Sequence, residues 1–203
     1  MARSEIVSNA SEELILVDEL DREIGQSAKS DCHAGNGVLH RAFSIFIFNG
    51  KNELLLQRRS SEKPLWPDYW SNTCCSHPRV GESMEEAVTR RLVEELGIEC
   101  PLHFLYKFKY HAQYGAVGAE HEYCWVYYGR YSGTVDVNER EIAELRYIEA
   151  ASVESELAAS PESFTPWLKM EWAQIANSYL DTILRGPEAD GAIIVSPGHG
   201  LKK

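Results

Sequence analysis

The spacing of apolar side chains divides the chain into short strands and two well-marked helices. Leu14, Ile15, Leu16 and Val17 follow one another in a first strand, Glu13 to Asp18. Gln26 to Ala34 then fits a short helix, on which Lys29 and His33 share a face at i, i+4 spacing, and Gly35-Asn36-Gly37 closes it. Arg41 to Phe48 is almost continuously apolar, the mark of a strand buried on both faces, and His40 stands at its start. Asn49-Gly50 is a strong hairpin signal that returns the chain through Leu54 to Arg59. The loop from Ser60 to Tyr69 is stiffened by Pro64, Trp66 and Pro67 and carries Lys63. From His103 to His111 the sequence alternates with period two and sets Phe104, Tyr106, Phe108 and Tyr110 on one side. After a loop marked by Gly115 and Gly118, Glu120 to Tyr131 forms a long aromatic strand with Glu120, Glu122 and Cys124 on one face. An acidic connection from Asp136 to Glu144 leads to a strand, Leu145 to Ala150, and a weak helix, Ser152 to Ala159. Thr165 as cap and Pro166 at the first position then start one terminal helix through Ile183. This order predicts an α/β sandwich, a largely antiparallel, mixed sheet flanked by helices.

The interior helix has the clearest boundaries. Ser83 with Glu86 makes a capping box and Gly97 a stop, so Met84 to Leu96 is one helix. Met84, Val88, Leu92 and Leu96 form its apolar stripe, yet Glu95 falls inside the stripe and Arg91 beside it. A carboxylate so placed is either paired, with Arg91 four residues back as one partner, or bound to a cation. Just upstream, Cys74, Cys75 and His77 offer nucleophilic and metal-binding side chains ahead of the Pro78 and Gly81 turn.

Composition narrows the function classes. With 44% hydrophobic and 25% charged residues, 203 residues suit one domain, from 13 to 185, between a flexible N-terminus (1–12) and a flexible tail (186–203). A net charge of -11 argues against a nucleic-acid or anionic-membrane surface, while Arg58, Arg59, Lys63, Arg79, Arg90 and Arg91 gather the basic charge a small anion would need. Five cysteines without a scaffold spacing, no apolar run of spanning length and no visible secretory leader make the cytoplasm the expected compartment. Taken as a donor set, His33, His40, His77, Glu120 and Glu122 mix imidazole and carboxylate in a way that suits a divalent ion of octahedral preference, although their spacing alone is a weak signal.

Glu82, Arg90, Leu92, Glu94, Glu95, Gly97 and Ile98 resemble the Nudix box, G-x5-E-x7-R-E-U-x-E-E-x-G-U, with Ser76 in place of the first Gly and Arg91 in place of the Glu after Arg90. Together with Asn72-Thr73-Cys74-Cys75-Ser76-His77-Pro78 and Glu120-His121-Glu122, the pattern is similar to the type 1 isopentenyl-diphosphate isomerases, a branch of the Nudix fold, over roughly residues 13 to 180. The resemblance implies a Nudix-type sandwich that moves a proton between carbons of isopentenyl and dimethylallyl diphosphate in isoprenoid biosynthesis. It implies a divalent ion (Mn, Mg or Zn) on His33, His40, His77, Glu120 and Glu122, and a Mg bridging the substrate diphosphate near Glu95. Lys29, Arg59, Lys63 and Arg91 fall on diphosphate-contacting positions, and Cys75 and Glu122 on the acid–base pair. Glu122, hydrogen-bonded to a tyrosine such as Tyr110, is the proton donor and Cys75 takes the other proton, with the direction of this assignment left open. Trp167 falls on the tryptophan that faces the carbocation. His103, His111, His121 and His199 match no ligand position. The partner implied is a small-molecule diphosphate, without nucleic acid or membrane, and the chain is expected as a monomer or weak homodimer. A Nudix pyrophosphohydrolase is the runner-up, opposed by Arg91.

Overall fold

The structure, a computed structural model, describes residues 6–186; residues 1–5 and the expected flexible tail from residue 187 on, with His199, lie outside the described residues. Strand β3 (His40–Phe48) is the hub of the sheet. It runs parallel to β8 (Gly118–Arg130) from the pair His40–Glu122 to the pair Phe48–Arg130. On its other edge it meets β6 (Cys74–Ser76) antiparallel, and it contacts β1 (Glu13–Val17) at His40. β1 pairs with β2 (Glu23–Ala28), and β8 with β7 (Leu102–Tyr114). The Asn49-Gly50 signal leads into β4 (Glu53–Arg59), but β4 leaves β3 after the single pair Phe48–Leu54 and takes β9 (Ile142–Glu149) as its antiparallel partner. β5 (Trp70–Ser71) pairs with the opposite edge of β4, at Gln57 and Arg58.

The unbroken apolar run of β3 follows from burial on both faces. Phe43, Ile45 and Ile47 meet Val88, Leu92 and Leu96 of α2 (Met84–Leu96), whereas Phe46 and Phe48 meet Leu168, Trp172 and Ile175 of α4 (Pro166–Ser178). α2 carries the expected capping box between Ser83 and Glu86, and Gly97 ends it at φ +63° in the left-handed region that glycine enters without strain. The mixed sheet with helices on both faces is the α/β sandwich that the pattern predicts.

Four local expectations need correction. Glu23–Ala28 is strand β2, and only Lys29–His33 is helical, α1. Backbone pairing with β1 overrides the polar, unpatterned composition of this edge strand. The β7 alternation is broken by a bulge between Phe104 and Tyr106, which turns Phe104 out against Trp125 and Tyr127, away from Tyr106, Phe108 and Tyr110. The Thr165 hydroxyl pairs with Ser71 Oγ at 3.1 Å instead of capping α4. The terminal helix is two helices: it breaks at Tyr179, and α5 (Leu180–Arg185) follows. The weak helix is α3 (Val153–Ala159), entered through one 3-10 turn.

Candidate active site

Sheet register builds the first half of the site. His40 lies opposite Glu122 in the parallel β3–β8 pair, and Tyr110 opposite Glu122 in the β7–β8 pair, so three strands present one row of polar side chains. Tyr110 Oη donates to Glu122 Oε2 at 2.7 Å. Glu120, two residues earlier on the same face, lies with Oε2 2.8 Å from Nε2 of His33, the last residue of α1. His77, just beyond β6, brings Nε2 to 3.0 Å from Glu122 Oε1. The three imidazole rings pack with centroids 4.8 to 5.2 Å apart, and one donor atom from each of His33, His40, His77, Glu120 and Glu122 lies within 4.8 Å of all the others.

This cluster fits a divalent cation. The Nδ1–H of His33 donates to the Lys29 carbonyl and that of His40 to the Val38 carbonyl, both at 2.7 Å, which leaves each Nε2 lone pair aimed inward. His40 Nε2 is buried with no hydrogen-bond partner, the condition of an atom arranged to be met by something other than protein. Burial, then the charge of His33, lowers His40 to about 3, and burial holds His77 well below the usual histidine range, so both rings are neutral and able to ligate. Burial also opposes the charged form of His33 and of Glu120, but their mutual attraction outweighs it, raising His33 and lowering Glu120 to about 2. Glu122, pushed well above the carboxylate range by burial and then by Glu120, marks the repulsion of two acids on one strand face that a cation relieves.

A cavity of about 420 Å³ joins this cluster to the rest of the candidate residues. Cys75, Tyr110 and Trp167 line it, as do Lys29, Arg59, Lys63 and Arg91. Strand alternation separates the neighbouring thiols. Cys74 is fully buried in the core under α2, whereas Cys75 faces the cavity, where burial raises it to about 12 and keeps it a neutral thiol. Arg59 is gripped by two carbonyls, Nε to Trp66 O at 3.0 Å and Nη2 to Leu65 O at 2.9 Å, and its Nη1 lies 3.9 Å from Cys75 Sγ. The Trp167 indole N–H donates to Ser71 Oγ at 3.0 Å and Asn72 Oδ1 at 3.1 Å, and the Asn72 amide donates to the Cys74 carbonyl at 2.8 Å, which ties α4 to the cysteine strand.

Arg91 is 2% exposed; its two Nη groups meet acids and main chain, and its buried Nε has no hydrogen-bond partner. Nη2 pairs with Glu95 Oε1, and Nη1 donates to the Val7 carbonyl at 2.6 Å and lies 3.3 Å from Glu94. Glu95 is therefore the satisfied half of an ion pair inside the apolar stripe, next to the cavity-lining Arg91. Burial and the charges of Lys63 and Arg91 lower Lys29 to about 8, evidence of how closely the cations are massed.

Comparison with known proteins identifies the family. Residues 38–168 match the NUDIX domain family. The chain is 44% identical over 175 residues, 85% of its length, to isopentenyl-diphosphate Delta-isomerase 1 of Photorhabdus laumondii, covering 99% of that protein. It is 36% identical to the isopentenyl-diphosphate delta-isomerase of Gibberella zeae, with 86% of this chain and 80% of that one covered. The chain belongs to the isopentenyl-diphosphate Delta-isomerases of the Nudix family. Among solved structures, the Deinococcus radiodurans protein DR0079 shares the fold with a TM-score of 0.67 at 24% identity, over 80% of this chain and 98% of that one.

Three residues with a hand in this isomerase-family site escaped the pattern. Gly118 reads as a loop glycine, yet a Cβ there would collide with the His33 carbonyl oxygen, so only glycine lets α1 close onto the start of β8 and bring His33 to Glu120. Gly118→Ala should force α1 back and weaken divalent-metal binding by roughly tenfold or more, an effect measured by metal titration of the folded variant. Wild-type affinity would show that α1 tolerates the shift. Glu141 reads as one of several acids in a connecting segment, and is buried between Lys63 and Arg91.

Glu171, one turn after Trp167, is fully buried beside Cys124, with Cys124 Sγ 3.6 Å from its Oε1, and burial raises it from 4.5 to about 8. Its folded form therefore holds a proton that the unfolded chain releases, so its contribution to stability is intact below about pH 4.5 and is lost as pH rises toward about 8. Glu171→Gln should leave the melting temperature nearly unchanged at pH 4.5 and raise stability on the order of 3 kcal/mol at pH 7. Thermal melts at the two pH values test this, and a difference independent of pH would contradict it.

Proposed function

We infer that this chain interconverts isopentenyl diphosphate and dimethylallyl diphosphate by a 1,3-proton shift. The observation that carries the reading is one cavity holding a neutral thiol, a carboxylate with its own phenol donor, and four cations. The four cations are suited to the diphosphate: Arg59 and Arg91 offer planar forks to phosphate oxygens, and Lys29 and Lys63 offer point charges. Arg91 stands where a Nudix hydrolase has an acid, and buried among Glu94, Glu95 and Glu141 it has no means of activating water.

An unactivated alkene must gain a proton at its terminal methylene and lose one from the carbon nearer the diphosphate, so one group gives a proton and another takes one. Cys75 and Glu122 are the pair. Arg59 Nη1 near Cys75 Sγ and Tyr110 Oη on Glu122 each supply a donor to the conjugate base, as a reversible shift requires of both members. Trp167, held by its indole N–H, offers a π face to the tertiary cation without a nucleophile to trap it.

His33, His40, His77, Glu120 and Glu122 would hold a divalent ion, Mn, Mg or Zn, and Glu95, released from its pair with Arg91, would offer a carboxylate to a Mg at the diphosphate. When bound, these ions supply positive charge that lets the two strand carboxylates and the substrate phosphates stay ionised together. Among the described residues no helix is long and apolar enough to cross a membrane; five free cysteines support a reducing, cytoplasmic setting, in which we expect a monomer or weak homodimer acting on a small diphosphate. Incubation with isopentenyl diphosphate and divalent metal, followed by assay of dimethylallyl diphosphate and of released phosphate, tests the reading. Phosphate without the allylic product would refute it.

A further inference from the structure

Glu141 lies one residue before β9, in a turn closed by its own N–H on the Asn138 carbonyl at 3.0 Å. Its side chain meets two cations from separate parts of the fold. Lys63 Nζ, from the loop after β4, bonds Oε2, and Arg91 Nη2, from α2, lies 3.6 Å from that same oxygen. The main chain of the turn reaches the same two elements: the Ser60 N–H donates to the Glu141 carbonyl at 3.0 Å, and the Asn138 N–H donates to the Glu95 carbonyl at 2.8 Å. Lys63 and Arg91 line the cavity, and Glu141 is 3% exposed. Two cations brought together for an anion repel each other before it arrives, and a lysine stem is flexible enough to swing away. A buried carboxylate oxygen shared by both removes the repulsion and restrains the stem.

We propose that Glu141 is a positioning residue for substrate binding, whose shared oxygen holds Lys63 and Arg91 side by side as a preformed cradle for the diphosphate. The proposal rests on the cationic cavity being the diphosphate site. It makes an acid beside an anion site a contributor to anion affinity.

The sign of one substitution separates this role from plain electrostatics. Glu141→Gln removes a negative charge near the ligand, so Coulomb attraction alone would tighten diphosphate binding, whereas lost positioning weakens it. In calorimetric titration of the metal-loaded full chain with inorganic diphosphate and magnesium, we expect Kd to rise roughly tenfold in Glu141→Gln. KM for isopentenyl diphosphate should rise in parallel while kcat stays within about twofold, the split of a residue that acts on binding. In a Lys63→Ala background the same substitution should change Kd by less than about threefold, because Arg91, still held by Glu95, then has no neighbouring cation to be kept beside. Glu141→Asp keeps the charge and the turn but withdraws the oxygen by one methylene, and should weaken binding by roughly threefold with an unchanged melting temperature, which carries the test if the glutamine variant does not fold. Equal or tighter binding in Glu141→Gln, an equal cost with and without Lys63, or wild-type affinity in Glu141→Asp overturns the proposal. A wild-type chain that does not bind diphosphate at all overturns it together with the reading of the cavity; wild-type binding with an indifferent Glu141 overturns this inference alone.

Discussion

Replacing Cys75 with alanine is expected to lower kcat by roughly a thousandfold while the fold and diphosphate affinity survive. Cys75 faces the cavity from the middle of β6, so its loss removes the proposed proton-transferring group and little packing. Cys74 is the internal control. It points from the same strand into the core under α2, and Cys74→Ala should cost about 1 kcal/mol of stability with turnover near that of the wild type. Steady-state kinetics beside thermal melts of both variants distinguish the two thiols. Equal loss of turnover in two folded variants would remove the thiol from the chemistry or assign it to the wrong neighbour.

Metal removal should have an effect of similar size. Five donor atoms within 4.8 Å, one of them, His40 Nε2, buried without a hydrogen-bond partner, predict close to one tightly held divalent ion per chain, and stripping it should abolish turnover until metal is returned. His77→Ala should weaken that ion's binding by roughly tenfold or more, since Glu122 loses the imidazole 3.0 Å away as well as a ligand. Elemental analysis after exhaustive chelation, paired with activity, is the measurement. Full activity in a metal-free sample would take the cluster out of the mechanism.

What could be read in advance divides by the range of the interaction. α2 was legible because its signals are local: a serine and a glutamate three apart, a heptad-like stripe, and a glycine at the end. β3 was legible because burial on two faces leaves an unbroken apolar run. The parallel partnership of β3 with β8 was not, since nothing in either strand names a partner some 80 residues away, and that register is what sets His40 opposite Glu122. Family resemblance supplied the candidate ligands as separate positions; the backbone carbonyls of Lys29 and Val38 that orient two of the histidines come only from the folded chain. Gly118 and Glu141 were invisible for the same reason. A glycine in a turn and an acid in an acidic segment are ordinary in sequence, and acquire meaning only from His33 at one and from Lys63 and Arg91 at the other.

On the proposed function this cavity moves a proton between carbons and leaves the diphosphate intact, although the fold is shared with Nudix hydrolases. Turnover of isopentenyl diphosphate in deuterated water tests it most directly. Proton exchange through Cys75 and Glu122 predicts deuterium bound to carbon in dimethylallyl diphosphate, with no inorganic phosphate or diphosphate released. Phosphate release at a rate matching or exceeding carbon deuteration would contradict the account and make this chain a hydrolase.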